Sequence, residues 1–163
     1  MRILGYLLIA LLISSNVIAA SKKGVTVFVN LSPAGSFEIK GKIKGKVYKK
    51  GNKFIAKKIA TKVTKFKTGL ELRDKHTKEK LLASKFPFIE VKKATAKDGK
   101  GTAEITIKGI KKKISFRYKE MGKYIKAIFN LSLKDFNFKG IKYLGVGVKD
   151  KVRVEAVVPL KTK

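Results

Sequence analysis

His76 is the only histidine of the chain, and it stands in Arg73-Asp74-Lys75-His76, beside one of only four arginines. Acid–base or anion-binding chemistry would concentrate there. The surrounding inventory excludes most of it. A zinc centre needs three or four ligands from Cys, His and carboxylates, and a chain with one histidine, no cysteine and eleven acids cannot assemble one convincingly. A Ser-His-Asp triad would have to use His76, yet no serine stands in a Gly-x-Ser-x-Gly elbow. Paired carboxylates are scarce among forty basic residues, and Gly99-Lys100-Gly101-Thr102 reads as a hairpin, not a phosphate-cradling loop. No catalysis, metal or cofactor is expected. Two roles remain open for Arg73, Asp74 and His76: meeting a polar or phosphorylated headgroup at a rim, or tying a polar segment to that rim through buried hydrogen bonds.

The segment that must position them is helical in pattern. Over residues 70–83, Glu71 and Lys75, Asp74 and Lys78, and Lys75 and Glu79 are four apart, so opposite charges are neighbours on a helix surface. Arg73 and His76, three apart, share a face. Leu70, Leu81, Leu82, Phe86 and Phe88 are the side chains available to pin this short helix over the rest of the fold.

Elsewhere the pattern alternates as strands do. In the cleanest run Phe37, Ile39, Gly41, Ile43, Gly45 and Val47 fall on one face, with Glu38, Lys40, Lys42, Lys44 and Lys46 on the other. Similar runs carry Val25–Leu31, Ala103–Ile107, Ile110–Tyr118, Ile125–Leu131 and Val152–Val158, with turn residues between them; residues 53–67 read as a less regular strand. In the run after Tyr124 the register is ambiguous by one residue, so Ile128 and Phe129 are both candidates for the inner face. About eight such strands imply an all-β antiparallel barrel or sandwich, in one domain. A barrel of that size has room for packed side chains or one slender ligand. Its candidate lumen residues are Phe37, Ile39, Gly41, Ile43, Gly45, Phe116, Ile128, Phe129 and Val154. Gly41 and Gly45 would either leave space for a ligand or kink the strand at a barrel corner.

Residues 1–20 read as a secretory signal peptide: Arg2 precedes an apolar run from Ile3 to Ile13, and Ala19-Ala20 offers small residues for cleavage. The run is too short to span a bilayer, which takes roughly 20 residues. The domain then covers residues 21–163, and a periplasmic location follows. The formal charge is +29, of which the first twenty residues hold only Arg2, leaving +28. Such a field draws anionic partners, a membrane surface among them. With lysines far outnumbering arginines, whose planar forks suit phosphates and bases, specific nucleic-acid recognition is not expected. A homodimer is compatible with the sequence.

Thr68-Gly69, Leu72-Arg73-Asp74-Lys75-His76 and Phe86-Pro87 together resemble the signature of YceI-like proteins. The stretch beginning Gly101-Thr102-Ala103-Glu104, turning at Lys108-Gly109 and ending in the basic pair Lys111-Lys112 is similar to a hairpin of that family. Ser132-Leu133-Lys134-Asp135-Phe136-Asn137-Phe138 and Val146-Gly147-Val148-Lys149-Asp150-Lys151-Val152 are similar to its closing section. The likeness covers about residues 68–158. It departs at the front, where Leu31-Ser32-Pro33-Ala34-Gly35-Ser36-Phe37 replaces a longer opening with an early His-Ser pair. The resemblance implies an up-and-down, lipocalin-like barrel that holds a polyisoprenoid or related lipid. The alternative is a cationic envelope-surface binder with a filled core.

Overall fold

The computed structural model describes residues 22–143 and 145–162; the expected signal peptide lies outside them. Its strands are β1 (Gly24–Ser32), β2 (Ser36–Gly41), β3 (Ile43–Gly45), β4 (Val47–Lys50), β5 (Lys53–Lys62), β6 (Phe88–Lys97), β7 (Lys100–Ile107), β8 (Ile110–Met121), β9 (Tyr124–Ser132), β10 (Lys142–Tyr143), β11 (Val146–Val148) and β12 (Lys151–Lys161). Among the described residues one α-helix, α1 (Glu71–Lys80), stands between β5 and β6.

β2, β3 and β4 are one run broken at Lys42 and Lys46. Its first part pairs with β1 and its second with β5. From β5 to β9 each strand pairs antiparallel with the next, β9 pairs with β12, and β12 returns to β1. The wall therefore closes. Beyond the start of β1, where Gly24 faces Val157, β12 meets β4 directly in a short parallel contact, Leu160 opposite Val47. The result is an up-and-down, lipocalin-like all-β barrel, the closed one of the two architectures the alternation allows.

The two ends differ. At one end the hairpins are tight: Asp98-Gly99 takes positive φ at both residues, the turn whose twist matches the strands it joins. Val47, Phe54, Ala96, Ile125 and Val158 pack together there, and the Phe54 and Tyr118 rings meet edge to face at 5.2 Å. The other end carries the long connections, residues 63–87 and 133–150. Val63, Phe66 and Ala83 form a small core under the first, and Phe136 packs on Ile105 and Ile107 under the second.

Three expectations need correction. The strand read over 53–67 stops at Lys62, and Val63–Lys65 form a single 3₁₀ turn; a backbone exchange between Lys40 and Lys67 resumes the pairing beyond it. The helix is shorter than 70–83, ending at Lys80, because the chain turns at Leu82 with φ of 51°. Leu70, Leu82 and Phe88 do not pin it down but are exposed, whereas Leu81 packs into the apolar clusters and Phe86 rests beside Gly109.

Candidate ligand-binding cavity

The inward rows of this barrel do not meet in the middle. They enclose a cavity of about 890 Å³ that opens at the end carrying α1. Its size falls within the range of roughly 300–1,000 Å³ usual for small-molecule sites. Its depth is lined by aliphatic and aromatic side chains; Thr61, one of the few polar ones, donates its hydroxyl to the Lys42 carbonyl at 2.9 Å. Among the described residues, charged side chains reach the cavity only from the mouth: Arg73, His76, Glu79 and Lys80 from α1, and Lys142 from β10. An apolar inside and a lysine-rich outside is the reverse of a membrane-spanning barrel, whose outer band is apolar.

Of the residues singled out for the lumen, Phe37, Ile39, Ile43, Phe116, Phe129 and Val154 line the cavity. Ile128 does not. The inward row of β9 is Ile125, Ala127, Phe129 and Leu131, opposite Val158, Ala156, Val154 and Val152, and Ile128 pairs with Glu155 on the outer face. The one-residue ambiguity resolves to Phe129.

Gly41 and Gly45 also fall outside the cavity lining, for different reasons. A Cβ on Gly41 would lie 2.5 Å from the Phe66 ring, so the missing side chain is the seat of that ring and not an opening for a ligand. Gly45 has φ of +126°, and a Cβ there would lie 2.7 Å from the Lys58 carbonyl oxygen. It bends the broken run between β3 and β4, the barrel-corner role.

The room comes from alanine. Ala56, Ala60, Ala94, Ala103, Ala127 and Ala156 all line the cavity, at positions where valine or isoleucine would have filled it. Ala103, Ala127 and Ala156 stand on the inner parity of strands legible in the sequence, though they were not singled out for the lumen. Ala56 and Ala94 pair where the inner rows of β5 and β6 change parity, and Ala60 stands opposite Glu90, so alternation alone does not place these three. Val146, Val148 and Phe138 were missed as well, because β11 and the segment before it are too short to show a period.

Around α1 the polar quartet divides. Asp74 is buried and turns away from the cavity. It accepts hydrogen bonds from the Thr68 backbone N–H at 2.6 Å and the Thr68 hydroxyl at 2.8 Å, and pairs with Lys67 at 3.2 Å. The Thr68 hydroxyl, then the Thr68 N–H and Lys67, holds this carboxyl below its ordinary range against the opposing effect of burial. Asp74 ties α1 to the Lys67–Thr68 segment that precedes it. Arg73 faces the mouth, its guanidinium carbon 4.5 Å from the centre of the Phe37 ring, and His76 joins it at the rim. A second carboxylate secures the other connection. Asp150 accepts from the Ser132 hydroxyl at 2.7 Å and the Lys134 N–H at 2.9 Å, which likewise hold its carboxyl below the usual range. Among the described residues no group of three or more potential metal ligands comes together.

A family profile described as a YceI-like domain matches residues 17–160. Among curated proteins no sequence matches the chain. Among solved structures, Burkholderia cenocepacia BcnA is similar with a TM-score of 0.60 at 17% identity, covering 82% of this chain and 94% of that one. A polyisoprenoid binding domain from Saccharophagus degradans, implicated in plant cell wall breakdown, gives 0.57 at 8% identity over 83% and 91% of the two chains. A cysteine mutant of a Campylobacter jejuni YCEI protein gives 0.50 at 20% identity, over 71% and 80%. At these identities the likeness is one of fold.

Proposed function

The chain belongs to the family of YceI-like domain proteins, and we propose that it is a non-catalytic binding protein for a long-chain amphiphile, a polyisoprenoid or related lipid. The tail lies in the barrel and the head at the mouth. The observation that carries this reading is the apolar cavity of about 890 Å³, open at one end beside Arg73, His76 and Lys80. Burying a methylene is worth roughly 0.8 kcal/mol, so a tail of ten carbons gains several kcal/mol from such a lining before any headgroup contact. A lumen left unfilled by its own side chains separates a carrier from a cationic surface binder with a packed core. The likeness to the polyisoprenoid binding domain of Saccharophagus degradans supports the choice of an isoprenoid tail.

The pattern of residues 1–20 supports export, cleavage before the domain of residues 21–163, and a role in transport or storage of the lipid in the periplasm. The test is mass spectrometry of an organic extract of protein purified without detergent from the exporting cell. A co-purified lipid with a long apolar tail, near one per protein, is the expected result. Protein that carries no lipid and takes none up from detergent micelles would overturn the reading.

A further inference from the structure

A lipid of this kind is insoluble, and the surface around the mouth is built for the place where it dissolves. Six large hydrophobic side chains are conspicuously exposed among the described residues: Tyr48, Leu70, Leu72, Leu82, Phe88 and Val146. Five belong to the mouth end, and only Tyr48 belongs to the closed end. Leu70 at 55% exposure, Leu72 at 59% and Val146 at 40% also line the cavity, so the exposed apolar surface runs without a break into the lumen. Leucines that face both water and a lipid cavity leave apolar area uncovered that a soluble surface has no use for.

The charge around them has one sign. The insert of residues 63–87 carries seven basic and three acidic residues, and the connection of residues 133–150 carries four and two. One of those acids, Asp74, is buried and already paired with Lys67. Exposed apolar side chains ringed by lysines combine the two attractions that peripheral membrane attachment requires, since neither alone holds a protein on a bilayer. A second copy of this chain fits the same surface badly, because it would bring the same cations face to face at a formal charge of +29 each. No helix among the described residues is long and apolar enough to cross a membrane.

We infer that the barrel docks mouth-first on an anionic lipid bilayer through a lip of Leu70, Leu72 and Val146, so that a tail passes from bilayer to cavity without crossing water. The purpose of docking rests on the carrier reading; the docking itself is testable without a bound lipid. Ligand-free protein is sedimented with phosphatidylcholine vesicles containing phosphatidylglycerol, and with phosphatidylcholine vesicles alone. The wild type should bind the anionic vesicles, more weakly as salt rises, and bind the neutral ones poorly. The Leu70→Ser/Leu72→Ser double variant should bind the anionic vesicles at least about tenfold more weakly, with an unchanged melting temperature, while Tyr48→Ser binds as the wild type does. Equal binding by the double variant, or an equal loss in Tyr48→Ser, overturns the proposal. So does a wild-type dimer that the double variant dissociates, which would make the lip a self-association surface. Uptake of lipid by the wild type from detergent micelles reports on the cavity alone, so its failure would refute the carrier and leave the docking result standing.

Discussion

Replacing Ala127 with leucine tests whether a tail reaches the middle of the barrel. Ala127 stands opposite Ala156 across the β9–β12 pair, both on the inner row and both only half-buried because they face the cavity. From the end of β9 at Ser132 down to this level is five residues, which at about 3.3 Å per residue and a strand tilt of roughly 40° is about 13 Å along the barrel axis. Leucine adds three carbons at that depth. They displace about three methylenes of any tail that extends beyond it, at about 0.8 kcal/mol each, so affinity for a long-tailed ligand should fall by about 2.4 kcal/mol, some fiftyfold. The empty protein moves the other way: filling a void raises its melting temperature, because the added carbons gain contacts that alanine lacked. Displacement of a fluorescent lipid measures the first effect and differential scanning calorimetry the second. A probe whose tail is shorter than about 13 Å should bind both proteins alike. If the variant is more stable yet binds the long-tailed lipid within threefold of the wild type, the tail does not occupy the barrel centre.

Arg73→Ala should weaken a phosphorylated lipid by about 1.5–3 kcal/mol through loss of a charged hydrogen bond, and an uncharged lipid of equal tail far less. Equal losses in the same displacement assay, with a lowered melting temperature, would assign Arg73 to packing on Phe37 instead. Acid should loosen the mouth before the closed end, because Asp74 and Asp150 both titrate below their ordinary value of 3.8 when folded. Their stabilisation is complete above that value and is lost as pH falls from it through the folded values. Hydrogen exchange at decreasing pH should show residues 63–87 and 133–150 opening first. Exchange that rises evenly along the barrel, or a Thr68→Val/Ser132→Ala variant that keeps the wild-type acid response, would show that these two carboxylates are not the cause.

The barrel was legible because its strands alternate with a period of two, and the period survives wherever apolar residues point one way and lysines the other. Phe37, Ile39 and Ile43 could be placed on the inner face by that rule alone. The same rule was blind to the cavity. Alternation says which side chains point inward; it does not say whether they fill the space they enclose. Gly41 looked like a gap and is covered by Phe66, while Ala127 and Ala156, which drew no notice as small residues, face the cavity. Only the path of the chain after β5 brings Phe66 back over Gly41, and no local pattern in residues 37–47 announces it.

The polar insert shows the same limit at the level of a single turn. Three chemically versatile residues within four positions suggested one constellation, but successive residues on a helix differ by about 100°. Arg73 and His76 fall within 60° of each other and share the mouth. Asp74 lies one step away and finds Thr68, which closes the helix onto the segment just before it. The carboxylate thus fixes where the helix begins, and the helix in turn fixes where the guanidinium and imidazole stand. A headgroup role for Arg73 and a structural role for Asp74 are therefore consequences of one geometry, and weakening the Asp74 tie should shift the rim residues before it disturbs the apolar depth.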